Sequence, residues 1–201
     1  MATTMSIQQA KTMLRAIGFD NASRQFTTAV KGFQTGWNLG PALRVDGDFG
    51  PLTSAALAKS FARHRKGQST MSAHFSYSEF RCKGAAIPEC RRIWALRTHV
   101  RRLEAYRAKI GNKPVRIVSG CRCKQRNQAV GGAKSSQHLF GAASDIQGLV
   151  TVAQRRAMKL FAGLGFQQST NKVVHVDSRD VSGHNTTNGS PAHPTTWKYA
   201  T

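Results

Sequence analysis

Acidic residues are what this chain most lacks. Nine Asp and Glu stand against 30 Lys and Arg in 201 residues, a formal charge of +21 at neutral pH with an isoelectric point near 11.1. A surface of one sign repels its own copies and attracts polyanions, so a monomer with an anionic partner is expected. Long apolar runs are also missing. None approaches the roughly 18 residues a membrane-spanning helix needs, so no membrane insertion is expected. The opening MATTMSIQQAKTML lacks the basic stretch and apolar core of a secretory leader, so no signal peptide is expected either. Aromatic residues supply 8% of the chain and form no stacking platform. Without such a platform or a DNA-reading motif, the charge does not point to specific nucleic-acid binding. Cysteine is scarce, with Cys82, Cys90, Cys121 and Cys123. The even count allows disulfides, whereas the C-x-C pair is a poor spacing for one tetrahedral ion beside a C-x-x-C turn. Reduced thiols or one to two disulfides are the expectation.

What is present is a globular pattern: 40% hydrophobic residues in periodic segments divided by Gly, Asn and Ser clusters. In SIQQAKTMLRAIGFD, Ile7, Ala10, Met13, Leu14 and Ile17 recur near the helical period, with Ser6 placed to cap and Gly18 to stop. A second helix, FTTAVKGFQTGW, follows. In RVDGDFGPLTSAALAKSFARH the pairs Asp46-Gly47 and Gly50-Pro51 make turns, and Thr53 is placed to cap a third helix through Phe61. Residues 1–64 therefore read as a small helical bundle. RHRKGQSTMSA loses periodicity, so 65–73 reads as a linker.

A second unit, 74–201, opens with PECRRIWALRTHVRRLEAYRAKIG, read as one helix from Pro88 to Gly111 with Ile93, Leu96, Val100, Leu103, Tyr106 and Ile110 on its apolar face. Between Arg91 and Arg126 there are twelve Lys or Arg and a single acid, Glu104. Solvated faces usually mix signs, so this side suits an anionic partner. KPVRIVSG reads as a strand, TVAQRRAMKLFAGLGF as a helix stopped at Gly163 or Gly165, and KVVHVDS as a further strand. The order gives an α+β unit with a small, mainly antiparallel sheet. The tail SGHNTTNGSPAHPTTW puts His184 and His193 in solvated loop, with Trp197 able to pin it back.

Two short segments carry chemistry. In SSQHLFGAASDI, Gly141 permits a bend that can bring His138 and Asp145 to one point. In VVHVD, alternation aims His175 and Asp177 together and sends Val174 and Val176 to the core. Two imidazoles and a carboxylate suit one zinc ion, with a fourth position open for water.

Two resemblances bear on these segments. DGDFGPLTSAAL resembles the D-G-x-F-G-P-x-T-x-x-A-L mark of the peptidoglycan-binding module of cell-wall hydrolases. That likeness covers roughly residues 5 to 64 and implies wall binding through Asp46, Gly47, Phe49, Gly50, Pro51 and Thr53, residues that also build turns and a cap in their own right. SSQHLFGAASD with the later HVD resembles the zinc D-alanyl-D-alanine carboxypeptidase family, which includes endopeptidases of wall peptides. Its pattern S-x-H-x-x-G-x-A-x-D is met at Ser136, His138, Gly141, Ala143 and Asp145. A second block is met at Ser119, Gly120, Arg122, Asn127, Val130, Gly131, Gly132 and Ala133.

The resemblance implies one Zn2+ per chain held by His138, Asp145 and His175. Arg122 would hold a substrate carboxylate or an oxyanion, and Ser136 and Gln137 would lie along the substrate. Peptidoglycan and anionic wall polymers would be the partners. Without a leader, such a protein would be a phage endolysin, made in the host cytoplasm and released to the wall by other means. A non-catalytic wall-binding or virion protein that keeps the ion is the rival, because Lys172 stands where many relatives carry an acidic base. Among Glu79, Glu89, Glu104, Asp177 and Asp180, Asp177 shares the face of His175, either as general base or as orienter of that ligand. Cys121 and Cys123 replace an aromatic and a serine of the family, and extended geometry would leave them packed or bridged with the Arg122 guanidinium free.

Overall fold

The structure, a computed structural model, describes residues 5–84, 90, 92–184 and 188–199. Helix α1 (Ile7–Ala16) starts where Ser6 predicts: its Oγ accepts from Gln9 N while the Gln9 side chain accepts from Ser6 N. Helices α2 (Phe26–Gly36) and α3 (Pro51–Arg65) complete an N-terminal helical bundle. Gly50, not Thr53, is the N-cap of α3. Thr53 is buried and accepts from Gln34 Nε2 at 3.2 Å. Gln34 also donates to Asp46 Oδ1 and Asp48 O and accepts from Gly47 N, all within 3.1 Å, so the turn is folded around this one amide.

The next helix is shorter than its apolar spacing suggests. Helix α4 runs over Arg97–Lys109. Upstream the chain is extended: Ile93 forms a β-bridge with Arg81, and Cys82 N donates to Arg92 O at 3.1 Å. These tertiary pairings override helical periodicity, and Pro88 lies outside the described residues. The helix expected over 151–166 is divided. Helix α6 (Val152–Met158), capped by Thr151, ends at Lys159 with φ 50°, and strand β3 (Gly163–Gln167) follows. Gly163 is opposite Asp177, where a Cβ would come within 2.2 Å of the carboxylate; the glycine makes room rather than stopping a helix.

With β1 (Ile117–Ser119), β2 (Ala143–Ile146), β4 (Lys172–Asp177) and β5 (Thr195–Tyr199), β3 forms a five-stranded sheet in the order β1-β2-β4-β3-β5. Its pairings are antiparallel except the parallel β3–β5 edge, so the sheet is mixed and the fold is α+β. Helix α5 (Lys124–Ala129) lies in the loop between β1 and β2.

One buried apolar cluster runs from the helical bundle into the sheet, joining Phe19, Phe33 and Trp37 to Phe75, Tyr77 and Phe80. Tyr77 Oη donates to Phe33 O at 2.7 Å. Each such ring contributes roughly 1.5–3 kcal/mol by leaving water. The stretch expected as a linker is part of this packing. Thr70, Met71 and Ser72 are buried, and Ser60 Oγ donates to Thr70 O at 2.7 Å. A polar, Ser-rich composition does not separate a free spacer from a segment whose hydroxyls bond nearby backbone.

Candidate metal centre

Register assembles the site. On the paired strands β2 and β4, Asp145 stands opposite His175, and Ala143 opposite Asp177. His138 arrives from the 3-10 turn Gln137–Phe140, which Gly141 closes in the left-handed region (φ 68°). That conformation favours glycine, and a side chain there would also collide with Trp94. His138 Nε2 then lies 3.1 Å from Asp145 Oδ1 and 3.2 Å from His175 Nδ1, and His175 Nδ1 lies 2.8 Å from Asp145 Oδ1. The bend at Gly141 and the pairing of β2 with β4 thus bring all three sequence-predicted ligands together.

The other ring nitrogens are held from behind. His138 Nδ1 bonds Gly120 O at 2.5 Å, and His175 Nε2 faces Asp177 Oδ2 at 3.4 Å. Asp177 is fully buried and accepts from Arg179 through both oxygens, at 2.9 and 2.6 Å. Its carboxyl points at the ring nitrogen remote from the point of convergence, which is the geometry of a group that orients a metal-binding imidazole. Burial would raise the Asp177 carboxyl, but Arg179 and His175 hold it well below the usual range. Burial would likewise raise Asp145, and its two imidazole partners outweigh it. Burial pushes the His138 imidazole down; on His175 the same effect is overcome by the hydrogen bonds to Asp145 and Asp177, and that ring is raised.

Val174 does not face the core. A β-bulge opposite Gly165 and Phe166 leaves it out of register, and it lines the cleft beside His175. The core contacts of β4 come from Val173 and Val176. The Arg122 guanidinium, expected to be free, pairs with Asp145 Oδ2 and donates to Ser119 Oγ, while its backbone N donates to His138 O at 3.0 Å. Arg122 therefore fixes the carboxylate from the side opposite the histidines.

The cleft above these groups has a volume of about 600 Å3 and is lined by Arg122, Ser136, Gln137, His138, Asp145, His175 and a wall of Trp197 and Tyr199, among others. Gln137 is buried and donates to His184 O at 2.7 Å. His184 is an exposed loop residue, as is His193, but its ring stacks on Phe140 at 3.6 Å between centroids. Trp197 does hold the tail: its ring lies 5.1 Å from His175 and under the Arg179 guanidinium.

Other acids are engaged elsewhere. Asp180 pairs with Arg102 through both oxygens, Glu79 caps a turn at Ser76, and Glu104 bonds His74. Glu89 lies outside the described residues, and Lys172 is exposed at the start of β4. Asp145 is the one acid among the described residues lining the cleft.

Gln34, Arg179 and Tyr199 stand in no sequence motif, and Gly120 belongs to a matched block that gives it no role. Tyr199 had a signal, since it stands two positions from Trp197 on a strand; Gly120 acts through its carbonyl, which no residue type announces.

Two imidazole nitrogens and one carboxylate oxygen within 4.8 Å of one another, buried on one side and open to a cleft on the other, are a donor set that would suit a catalytic zinc ion. Asp46, Gly47, Phe49, Gly50, Pro51 and Thr53 are far from this chemistry. They build the turn around Gln34, with Phe49 packed edge-on to Phe26.

Comparison with known proteins agrees with the geometry. A family model described as Peptidase M15 matches residues 73–177, a span that holds Arg122, His138, Asp145, His175 and Asp177 and ends before Arg179, Trp197 and Tyr199. The zinc D-Ala-D-Ala carboxypeptidase of Streptomyces albus G is 30% identical over 161 residues, 66% of this chain and 62% of that protein. The chain thus spans somewhat under two thirds of that relative's length. With more than half of its residues inside the family match, this chain belongs to the peptidase M15 family.

Proposed function

We propose that the chain is a zinc-dependent peptidase acting on the peptides of bacterial peptidoglycan, of D-alanyl-D-alanine carboxypeptidase or endopeptidase type. The observation that carries this reading is the convergence of His138 Nε2, Asp145 Oδ1 and His175 Nδ1 beneath an open cleft. Zinc bound there would supply a Lewis acid and a water of lowered pKa. The remaining work falls to side chains. Arg122, at the ligand carboxylate and facing the cleft, would hold a substrate carboxylate or the charge that develops on the scissile carbonyl. Asp177 would keep the His175 ring in place and Gly120 O that of His138. Ser136 and Gln137 would border the bound peptide, with Trp197 and Tyr199 as its wall. The turn around Gln34 would present the N-terminal bundle to the wall, and the +21 charge would draw the protein to anionic wall polymers. An endolysin role in host lysis is the setting that combines these features.

A non-catalytic wall or virion protein that retains the ion is the second reading, favoured by Lys172 in place of an acid near His175. Digestion of purified sacculi, followed by mass analysis of products, tests the two. The peptidase reading requires either released D-Ala or new amino termini, abolished by a chelator and in His138→Ala. Unchanged sacculi with zinc-loaded protein bound to them would establish the second reading.

A further inference from the structure

Outside the cleft, the four cysteines meet. Cys82, Cys90, Cys121 and Cys123 form one buried cluster against Trp94. Cys90 and Cys123 are joined as a disulfide, and the sulfurs of Cys82, Cys90 and Cys123 all lie within 4.8 Å of one another. A disulfide accounts for two of these sulfurs and leaves the others buried without a role. Two further observations concern charge. Cys123 N donates to Cys82 Sγ at 3.2 Å, and Arg126 N donates to Cys123 Sγ at 3.2 Å. Backbone N–H groups are thus already aimed at two of the sulfurs, as donors around metal-bound thiolates are. Lys83, Arg92, Lys124 and Arg126 flank the cluster in sequence, which offsets the negative charge several thiolates would bring. Sulfurs bound to one tetrahedral zinc at about 2.3 Å stand roughly 3.8 Å apart. Opening the Cys90–Cys123 bond lets those two sulfurs separate to that spacing, with Cys82 already within 4.8 Å of both.

We propose that in the reduced protein Cys82, Cys90 and Cys123 hold a second, structural zinc ion, with Cys121 as fourth ligand. Formation from the disulfide state balances with a cellular dithiol. The dithiol is oxidised to a disulfide, Cys90 and Cys123 each gain an electron and a proton, and zinc then displaces protons from the thiols it binds. Cys121 Sγ, in the same buried cluster but outside the converging trio, donates to Arg92 O at 3.2 Å and would turn from that carbonyl to reach the ion. The spacing argument against Cys121-x-Cys123 assumed that this pair alone must make the site. The fold supplies Cys82 and Cys90 from a different segment, and residues two apart on an extended stretch share one side.

The site props the metal centre. Gly120, whose carbonyl orients His138, and Arg122, which pairs with Asp145, lie on the segment that Cys121 and Cys123 anchor. Such a closed centre does in this loop region what a larger apolar core does elsewhere.

The test is metal content and cobalt spectroscopy of the full chain purified under reducing conditions. The wild type should carry about two zinc ions, and His138→Ala about one, so loss of the M15 ion and loss of the cysteine ion are read separately. Cobalt substitution should give the intense thiolate charge-transfer band of a tetrahedral sulfur site in both proteins, and Cys82→Ser should lose it while keeping the ion at His138, Asp145 and His175. The wild-type spectrum needs no variant to fold. Absence of that band, with about one zinc per chain and Cys90 still linked to Cys123 by peptide mapping, would overturn the proposal.

Discussion

Asp177 shows how much a carboxylate's surroundings decide its role. Strand alternation places it beside His175, and from the sequence it serves equally well as a base or as an orienter. Its full burial, its two bonds from Arg179 and its approach to Nε2 rather than Nδ1 favour the second. Asp177→Asn is therefore expected to weaken zinc affinity by roughly 10- to 100-fold, with turnover recovered when zinc is added. Wild-type affinity combined with turnover lowered on the order of 100-fold would instead make Asp177 the base. The three converging residues His138, Asp145 and His175 were legible because their motif is local and their residue types are scarce. Arg179 was not: one more arginine in a chain of 30 Lys and Arg carries no signal until it is seen against a buried acid.

Among the elements, α4 is docked on the sheet through a buried histidine. His99 Nε2 lies 2.9 Å from Ser144 Oγ on β2, and Nδ1 lies 3.0 Å from Ser178 Oγ just beyond β4. Burial pushes its imidazole down to about 3, against a smaller opposing pull from Asp177. The unfolded chain, with an ordinary value near 6.5, binds the proton first. Stability contributed by neutral His99 is thus complete above about pH 6.5 and declines as pH falls toward about 3, by up to roughly 1.4 kcal/mol per pH unit. Thermal melts of the chelated protein from neutral to acid pH should show this slope, and His99→Gln should flatten it by up to one proton; equal slopes would remove His99 from the acid response. Element boundaries were the least legible part of the sequence. α4 begins at Arg97 because the chain before it is drawn into the bridge with Arg81, and β3 exists because Gly163 admits the Asp177 carboxylate. Both are long-range pairings.

At the scale of the whole molecule the charge sets behaviour. Under the proposed function, attachment to intact walls should weaken steeply between low and physiological salt as screening shortens the reach of each charge, whereas turnover of a short soluble peptide should change far less. Equal sensitivity of both would place the charge effect in the reaction or the fold instead of in attachment. The sequence by itself determined the charge, the α+β class, the helical N-terminal bundle and the identities of His138, Asp145 and His175, because each rests on composition, local periodicity or a short motif. Tertiary structure alone decided that Asp145 stands opposite His175, that Val174 bulges into the cleft, that β5 closes the sheet in parallel with its Trp197 beside His175, and that four cysteines from two segments share one buried cluster. Those facts depend on strand register and on packing between residues far apart in the chain, and neither is encoded in the spacing of any single segment.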